Sequence, residues 1–141
     1  MKTVIDTNII IDALTNRKPY CKNAQRILLL AEQKLIGGFI TSNTATDIYY
    51  LLHKYFHDSA KVKSIMEILF DSISVIPVNE TDCKSSLHSK ISDYEDAVLE
   101  SAAKNNGADC IITRNEKDFS FSRVPVYSPD DFLLNASSLS L

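Results

Sequence analysis

Apolar residues recur along this chain with two periods, and the two alternate. The β-branched run "KTVI", Lys2 to Ile5, reads as a short buried strand. Asn8 to Leu14 follows at helical spacing, with Thr7 or Asn8 able to cap its first turn. From Tyr20 to Leu35 the positions Ala24, Ile27, Leu28, Ala31 and Leu35 share a helical face, and Gly37-Gly38 marks the stop. Phe39-Ile40-Thr41 is again strand-like. Ala45, Ile48, Tyr49, Leu52 and Tyr55 then predict a helix over Thr44 to Phe56, capped by Ser42 or Asn43, and a second helix follows from Ser59 to Phe70. Ile73 to Val78 reads as a strand that Pro77 ends or places at an edge. Thr81 to Ile91 is only weakly amphipathic.

The densest pattern is "SDYEDAVLESAAKNNGADCIITRN". Ser92 or Asp93 can cap a helix that carries Ala97, Leu99, Ala102 and Ala103 and stops at Gly107, before the buried run Cys110-Ile111-Ile112. "VPVYSPDDFLL" supplies a last short strand and helix, and "NASSLSL" reads as a tail. The expectation is one domain over residues 1–135 and a loose tail over 136–141. Strands separated by helices imply a three-layer α/β/α architecture around a mainly parallel sheet of about five strands. In such sheets functional residues gather beyond the carboxyl ends of the strands.

Composition narrows the picture. A chain of 141 residues, 45% hydrophobic, can bury a core without staples. No apolar run is long enough to span a bilayer, and the N-terminus lacks the basic flank and cleavage site of a signal peptide, so a cytoplasmic protein without membrane contact is expected. Cys21, Cys83 and Cys110 are an odd number without a C-x-x-C, which fits small reduced core residues rather than disulfides or a zinc site. A net charge of −3 argues against holding nucleic acid mainly through a basic face. It leaves a nuclease open, because carboxylates that hold a divalent cation bring positive charge to the phosphate themselves.

The acids carry the candidate chemistry. Asp6 ends the first strand, Asp47 falls in the first turn of the helix after the second, and Asp96 falls in the first turn of the helix before "DCIIT". Strand carboxyl ends and helix amino ends share one edge of a parallel α/β sheet. Asn115 and Asp118 follow the "CIIT" strand at that edge, where Thr7, Asn8 and Thr113 add neutral oxygen and nitrogen groups. Packed carboxylates repel unless a proton or cation intervenes, and Mg²⁺ or Mn²⁺ suits such a donor set. A plainer reading stands beside this one: an isolated Asp at a helix start, such as Asp47 or Asp96, is commonly a cap, and Asp93 can cap its helix with Asp96 completing a box-like first turn. Asp118 in "EKDF" can equally be a turn residue. His53 and His57 sit at i and i+4, but Lys54 stands where a metalloprotease helix has Glu and no third ligand is evident. The clusters Arg17-Lys18 and Lys61-Val62-Lys63 read as solvated surface, and Arg114 is the basic residue assigned to substrate.

"VIDTNIIID", "ITSNTATDIYYLL", "DYEDAVLESAAKNNGADCIITRNEKDF" and "VPVYSPDDFL" together resemble the PIN-domain family, over nearly the whole chain and in order. Within it the chain looks most like the small bacterial single-domain members, among them the VapC-type ribonuclease toxins of toxin–antitoxin pairs. The resemblance implies a ribonuclease dependent on Mg²⁺ or Mn²⁺, with Asp6, Asp47 and Asp96 as metal-holding catalytic acids supported by Asn8 and Thr113. Many members carry Glu where Asp47 stands and an acid where Asn115 stands. Asp118 is the acid available in place of the latter, and Asp93 is an auxiliary candidate. The resemblance further implies an RNA substrate, a homodimer, and an antitoxin that lies across the acidic groove. Helical spacing in "DIYYLLHKYF" favours core packing over a dimer face.

Two other functions remain. A receiver-like signalling domain also has an acidic pocket on a parallel sheet, but it needs a phosphoacceptor Asp at the end of a mid-chain strand, where "SISVIPVNE" offers Val78. A catalytically degenerate PIN domain that binds RNA or protein without cutting is the alternative that Asn115 and the short Asp47 keep open.

Overall fold

The computed structural model describes residues 1–138. Its elements follow in the order β1 (Lys2–Ile5), α1 (Thr7–Leu14), α2 (Cys21–Glu32), β2 (Gly37–Thr41), α3 (Ser42–Phe56), α4 (Ser59–Ser72), β3 (Ile73–Ile76), α5 (Glu80–Ser85), α6 (Tyr94–Asn105), β4 (Cys110–Ile112), β5 (Val126–Tyr127) and α7 (Pro129–Ser138). Short 3₁₀ turns cover Ser86–His88 and Glu116–Phe119. The five strands are all parallel, in the spatial order β3-β2-β1-β4-β5. Thr3 lies opposite Gly38 on one side and Cys110 on the other, so β1 is paired along both edges. The chain builds outward from β1 through β2 to β3, then returns to add β4 on the other flank, which makes the β1/β4 boundary the topological switch point.

Alternation along the strands divides the core in two. Ile5, Ile40, Ile73, Cys110 and Ile112 face one layer, where Ile9, Ile10, Ile27, Ile48, Leu52, Val62 and Phe132 of the helices α1 to α4 and α7 cover them. Val4, Ile76 and Ile111 face the other, against Ala97, Leu99, Ala102 and Ala103 of α6, with Ile91, Phe119 and Val124 from the connecting segments. The expected three-layer architecture is therefore present.

Several local expectations shift. Asp6 itself caps α1, Thr41 caps α3 and Asp93 caps α6, so neither Thr7, Asn8, Ser42, Asn43 nor Ser92 is a cap. Asp47 consequently falls in the second turn of α3 rather than the first. Helix α2 does not run to the glycines: it stops at Glu32, and Lys34 takes the left-handed position at φ 58°. Lys34 N donates to Ala31 O and Leu35 N to Leu30 O, the two bonds of a Schellman stop. Gly37 and Gly38 instead belong to β2, and a Cβ on Gly38 would lie 2.6 Å from Ile73 Cδ1 and 2.9 Å from Ala31 Cβ. There the glycine lets α2 press onto the sheet. Gly107, at φ 70°, does stop α6 as its position suggested.

Helix α7 continues through Ser138 with Ala136 buried, past the expected start of a loose tail; residues 139–141 lie outside the described residues. Cys110 is buried but Cys83 is exposed and Cys21 half-buried, so only one of the three cysteines is a core residue. On α3, Ile48 and Leu52 enter the core whereas Tyr50 and Tyr55 stay exposed. No helix among the described residues is long and apolar enough to cross a membrane.

Candidate active site

Asp6 is placed by the sheet and then fixed by its neighbours. Its N–H donates to Ile112 O at 3.0 Å, extending the β1–β4 ladder one residue past the strand. Oδ1 accepts from Thr7 N at 2.8 Å, and Oδ2 accepts from Thr113 Oγ1 at 2.8 Å and Asn8 Nδ2 at 3.4 Å. Thr113 is fully buried directly after β4, and its hydroxyl oxygen also accepts from Asn115 N at 3.1 Å. Burial pushes the Asp6 carboxyl above its ordinary range, while the bonds from Thr113 and Thr7 and the Arg114 charge pull it back.

The neighbouring strand end is tied to this one by hydroxyls. Thr41 Oγ1 accepts from Thr44 N at 3.1 Å, and Thr44 Oγ1 lies 3.1 Å from Thr41 Oγ1 and 3.3 Å from Thr7 Oγ1. That chain joins the carboxyl ends of β1 and β2 and sets the start of α3, from which Asp47 projects into a cleft of about 490 Å³. From α6, Glu95 and Asp96 line the same cleft, and Asp93 Oδ1 accepts from Asp96 N at 3.0 Å to fix that first turn.

Five acids, Asp6, Asp12, Asp47, Glu95 and Asp96, thus line one cleft, and of these Asp12 is ion-paired to Arg114. Burial, followed by the charges of Asp6, Asp93, Asp118 and Glu95, pushes Asp96 up to about 7. Glu95 is raised chiefly by a hydrogen bond with Asp47, then by burial. Carboxyls raised in this way hold their protons to higher pH, which lessens the repulsion among them.

Of the residues expected at the site, Asp6, Asp47, Asp96, Thr7, Asn8, Arg114 and Asn115 line the cleft. Thr113 lies buried beneath it, bonded to the Asp6 carboxylate, and the exposed Asp93 accepts from the backbone N of Asp96. Asp118 sits in the exposed 3₁₀ turn after β4, outside the lining, and reaches the site only through its charge on Asp96. Arg114 is not a free cation: it is ion-paired to Asp12 at 2.6 Å. His53 Nε2 pairs with Ser59 Oγ and His57 leaves the helix at φ 54°, so the two histidines form no site. Sequence reasoning missed Glu95, Asp12 and Arg17. Asp12 was findable, because it stands one helical turn after Asn8 in an otherwise apolar run.

Among the described residues no three His, Cys, Asp or Glu side chains gather into a ready ligand set. The donors fit a hard cation that keeps several waters and takes one or two carboxylates directly, as Mg²⁺ does. Raised carboxyls in an oxygen-lined cleft are the groups that such a cation would neutralise.

Similarity to known proteins bears on the same region. A PIN domain family model matches residues 2–117. No curated protein matches the chain in sequence. A toxin–antitoxin complex chain from Klebsiella pneumoniae superposes with a TM-score of 0.66 at 21% identity, over 90% of this chain and 97% of that one. VapBC2 from Rickettsia felis, bound to a DNA fragment from its promoter, gives 0.67 at 20% identity, over 91% and 98%. The sarcin-ricin loop cleaving toxin VapC20 of Mycobacterium tuberculosis gives 0.65 at 14% identity, over 87% and 98%. These likenesses are of fold; the family match, which spans β1 to the 3₁₀ turn after β4 and so includes every acid of the cleft, shows that this chain belongs to the PIN domain family.

Proposed function

We propose that the chain is a divalent-metal-dependent ribonuclease that hydrolyses RNA phosphodiester bonds with Mg²⁺ or Mn²⁺. The observation that carries this reading is the convergence of Asp6, Asp47, Glu95 and Asp96 in one cleft at the switch point of the sheet. Asp6, Asp47 and Asp96 are the residues that would hold the cation, and Glu95 lines the same cleft beside them. When bound, the ion supplies charge neutralisation, an activated water and stabilisation of the leaving oxygen. The chain's own groups orient the donors: the Thr113 hydroxyl and Thr7 N–H fix both oxygens of Asp6, and Asp93 fixes the turn that presents Asp96. Asp118 contributes at longer range.

The proposal extends to the toxin role, with an antitoxin as partner, a homodimer and a cytoplasmic setting. Solved toxin–antitoxin complexes of the same fold support the partner, and exposed Tyr50, Leu51 and Tyr55 on α3 offer apolar surface for a second copy.

The test is cleavage of labelled single-stranded RNA with Mn²⁺, Mg²⁺ or EDTA, beside Asp6→Asn. Asn keeps an acceptor for Thr7 N and so preserves the cap of α1, while one anionic donor is lost. Metal-dependent cutting should fall at least ~100-fold in the variant without loss of folding; equal rates in the two proteins would sink the reading. A catalytically degenerate RNA- or protein-binding module is the second reading, favoured by Asn115 and by the absence of a closed ligand set among the described residues. It predicts no cutting under any metal and no stabilisation by one.

A further inference from the structure

The acidic cleft is two-signed. Arg17 and Arg114 line it together with Asp12 and the four other carboxylates, and Arg114 is held in a fixed pose. Its Nε donates to Asp12 Oδ2 at 2.6 Å and its Nη2 to Asp12 Oδ1 at 3.3 Å, while the guanidinium carbon lies 4.1 Å from the Tyr20 ring centroid. The two-pronged pairing uses Nε and Nη2, which leaves Nη1 without a protein partner among the described residues.

The connection between α1 and α2 is wound onto the same point. Arg17 N donates to Asp12 O at 3.1 Å, and Arg17 O accepts from Tyr20 N at 3.0 Å and Cys21 N at 2.8 Å. Arg17, Tyr20 and Arg114 are thereby gathered around one helix position. Asp12 itself is 1% exposed. A buried ion pair is seldom worth more to stability than apolar residues of the same volume, so stability gives no reason for a carboxylate in "IIIDAL". Holding an arginine at the cleft wall does give one.

An acidic region that suits a cation, beside a fixed guanidinium and a second arginine, matches a ligand with repeated negative charge. One phosphate belongs with the carboxylates and their cation, and the next along the strand meets the arginines. We propose that Arg17 and Arg114 form a second phosphate subsite, which takes the backbone phosphate adjacent to the one cleaved. Asp12 is the positioning residue that holds Arg114 toward it. This inference rests on the reading of the cleft as an RNA-cleaving site.

The experiment measures binding of a fluorescein-labelled single-stranded oligouridylate by anisotropy, across a salt series with Mg²⁺ present. Asp6→Asn is the parent, so that the RNA stays intact. Adding Arg17→Gln or Arg114→Gln should weaken binding about 3- to 10-fold and flatten the slope of log affinity against log salt by about 0.7 for each lost contact. Adding Asp12→Asn keeps every cation of the cleft but frees Arg114, so it should weaken binding with the slope flattened by no more than the loss of one contact. Arg17 is exposed, which keeps the test valid if a variant at the buried pair folds poorly. Unchanged slopes in both arginine variants, or no binding by the parent at any salt, would overturn the subsite. Binding by Asp12→Asn as tight as the parent or tighter would overturn the positioning role. Cleavage by the unsubstituted protein is scored separately: RNA bound as expected but never cut keeps the subsite and removes the nuclease.

Discussion

Asp96 carries the clearest electrostatic consequence among the single residues. Its carboxyl is raised from the ordinary 3.8 to about 7 by burial and by neighbouring acids. Between those values the folded protein keeps a proton that the unfolded chain releases, so this group's contribution is full below pH 3.8 and is lost as pH rises through about 7. Thermal melts in EDTA should therefore show Tm falling from pH 5 to pH 8. Asp96→Asn should make that decline shallower and raise Tm at pH 8 by about 3–6 °C; an unchanged profile would show that neither burial nor the neighbouring acids hold the Asp96 carboxyl above its ordinary range. Asp6 and Asp96 were legible in the sequence because each closes or opens an element whose period is clear. Glu95 was not, because its role comes from contact with Asp47 on a separate helix, 48 positions away in the numbering, a proximity that only tertiary packing creates.

At the scale of elements, the end of α2 shows how one helix stop substitutes for another. The glycine pair suggested the stop, but close packing against Ile73 and Ala31 claims Gly38 for the sheet. The left-handed position then falls to Lys34, which carries a Cβ at φ 58°. Lys34→Gly should relieve that strain and stabilise the protein by about 0.5–1 kcal/mol in urea unfolding. Gly38→Val should destabilise it by about 2–3 kcal/mol, since Ala31 Cβ belongs to the neighbouring helix and has no rotamer through which to retreat. A Gly38→Val protein as stable as the parent would mean that α2 does not seat on the sheet as described. The strands β1 and β4 and the helices α3, α4 and α6 were readable from periodicity. Caps were less so, because several oxygen-bearing residues compete at each helix start and the strand's exit decides among Asp6, Thr7 and Asn8.

Across the whole molecule, parallel strands joined by helices had few arrangements open to them, and the α/β/α layering followed. The strand order did not, because nothing in the residues of β4 names β1 rather than β3 as its partner. That order creates the switch point and brings distant acids together, so cation binding should report on the entire fold. Mn²⁺ at about 100 times its Kd should stabilise the protein by about 2.7 kcal/mol, seen as a rise in Tm that EDTA reverses and that Asp6→Asn diminishes. A Tm indifferent to Mn²⁺ would favour the inert binding module. The central place of β1 also bears on the order in which the protein becomes competent during synthesis. Thr3 waits for Cys110 and Asp6 for Thr113, each pair 107 positions apart. A nascent chain that has not yet delivered β4 has an open edge on β1 and an Asp6 without its hydroxyl donor. Polypeptides cut short before that point would be unable to assemble the cleft, so only a chain that has reached Thr113 can carry a working copy of it.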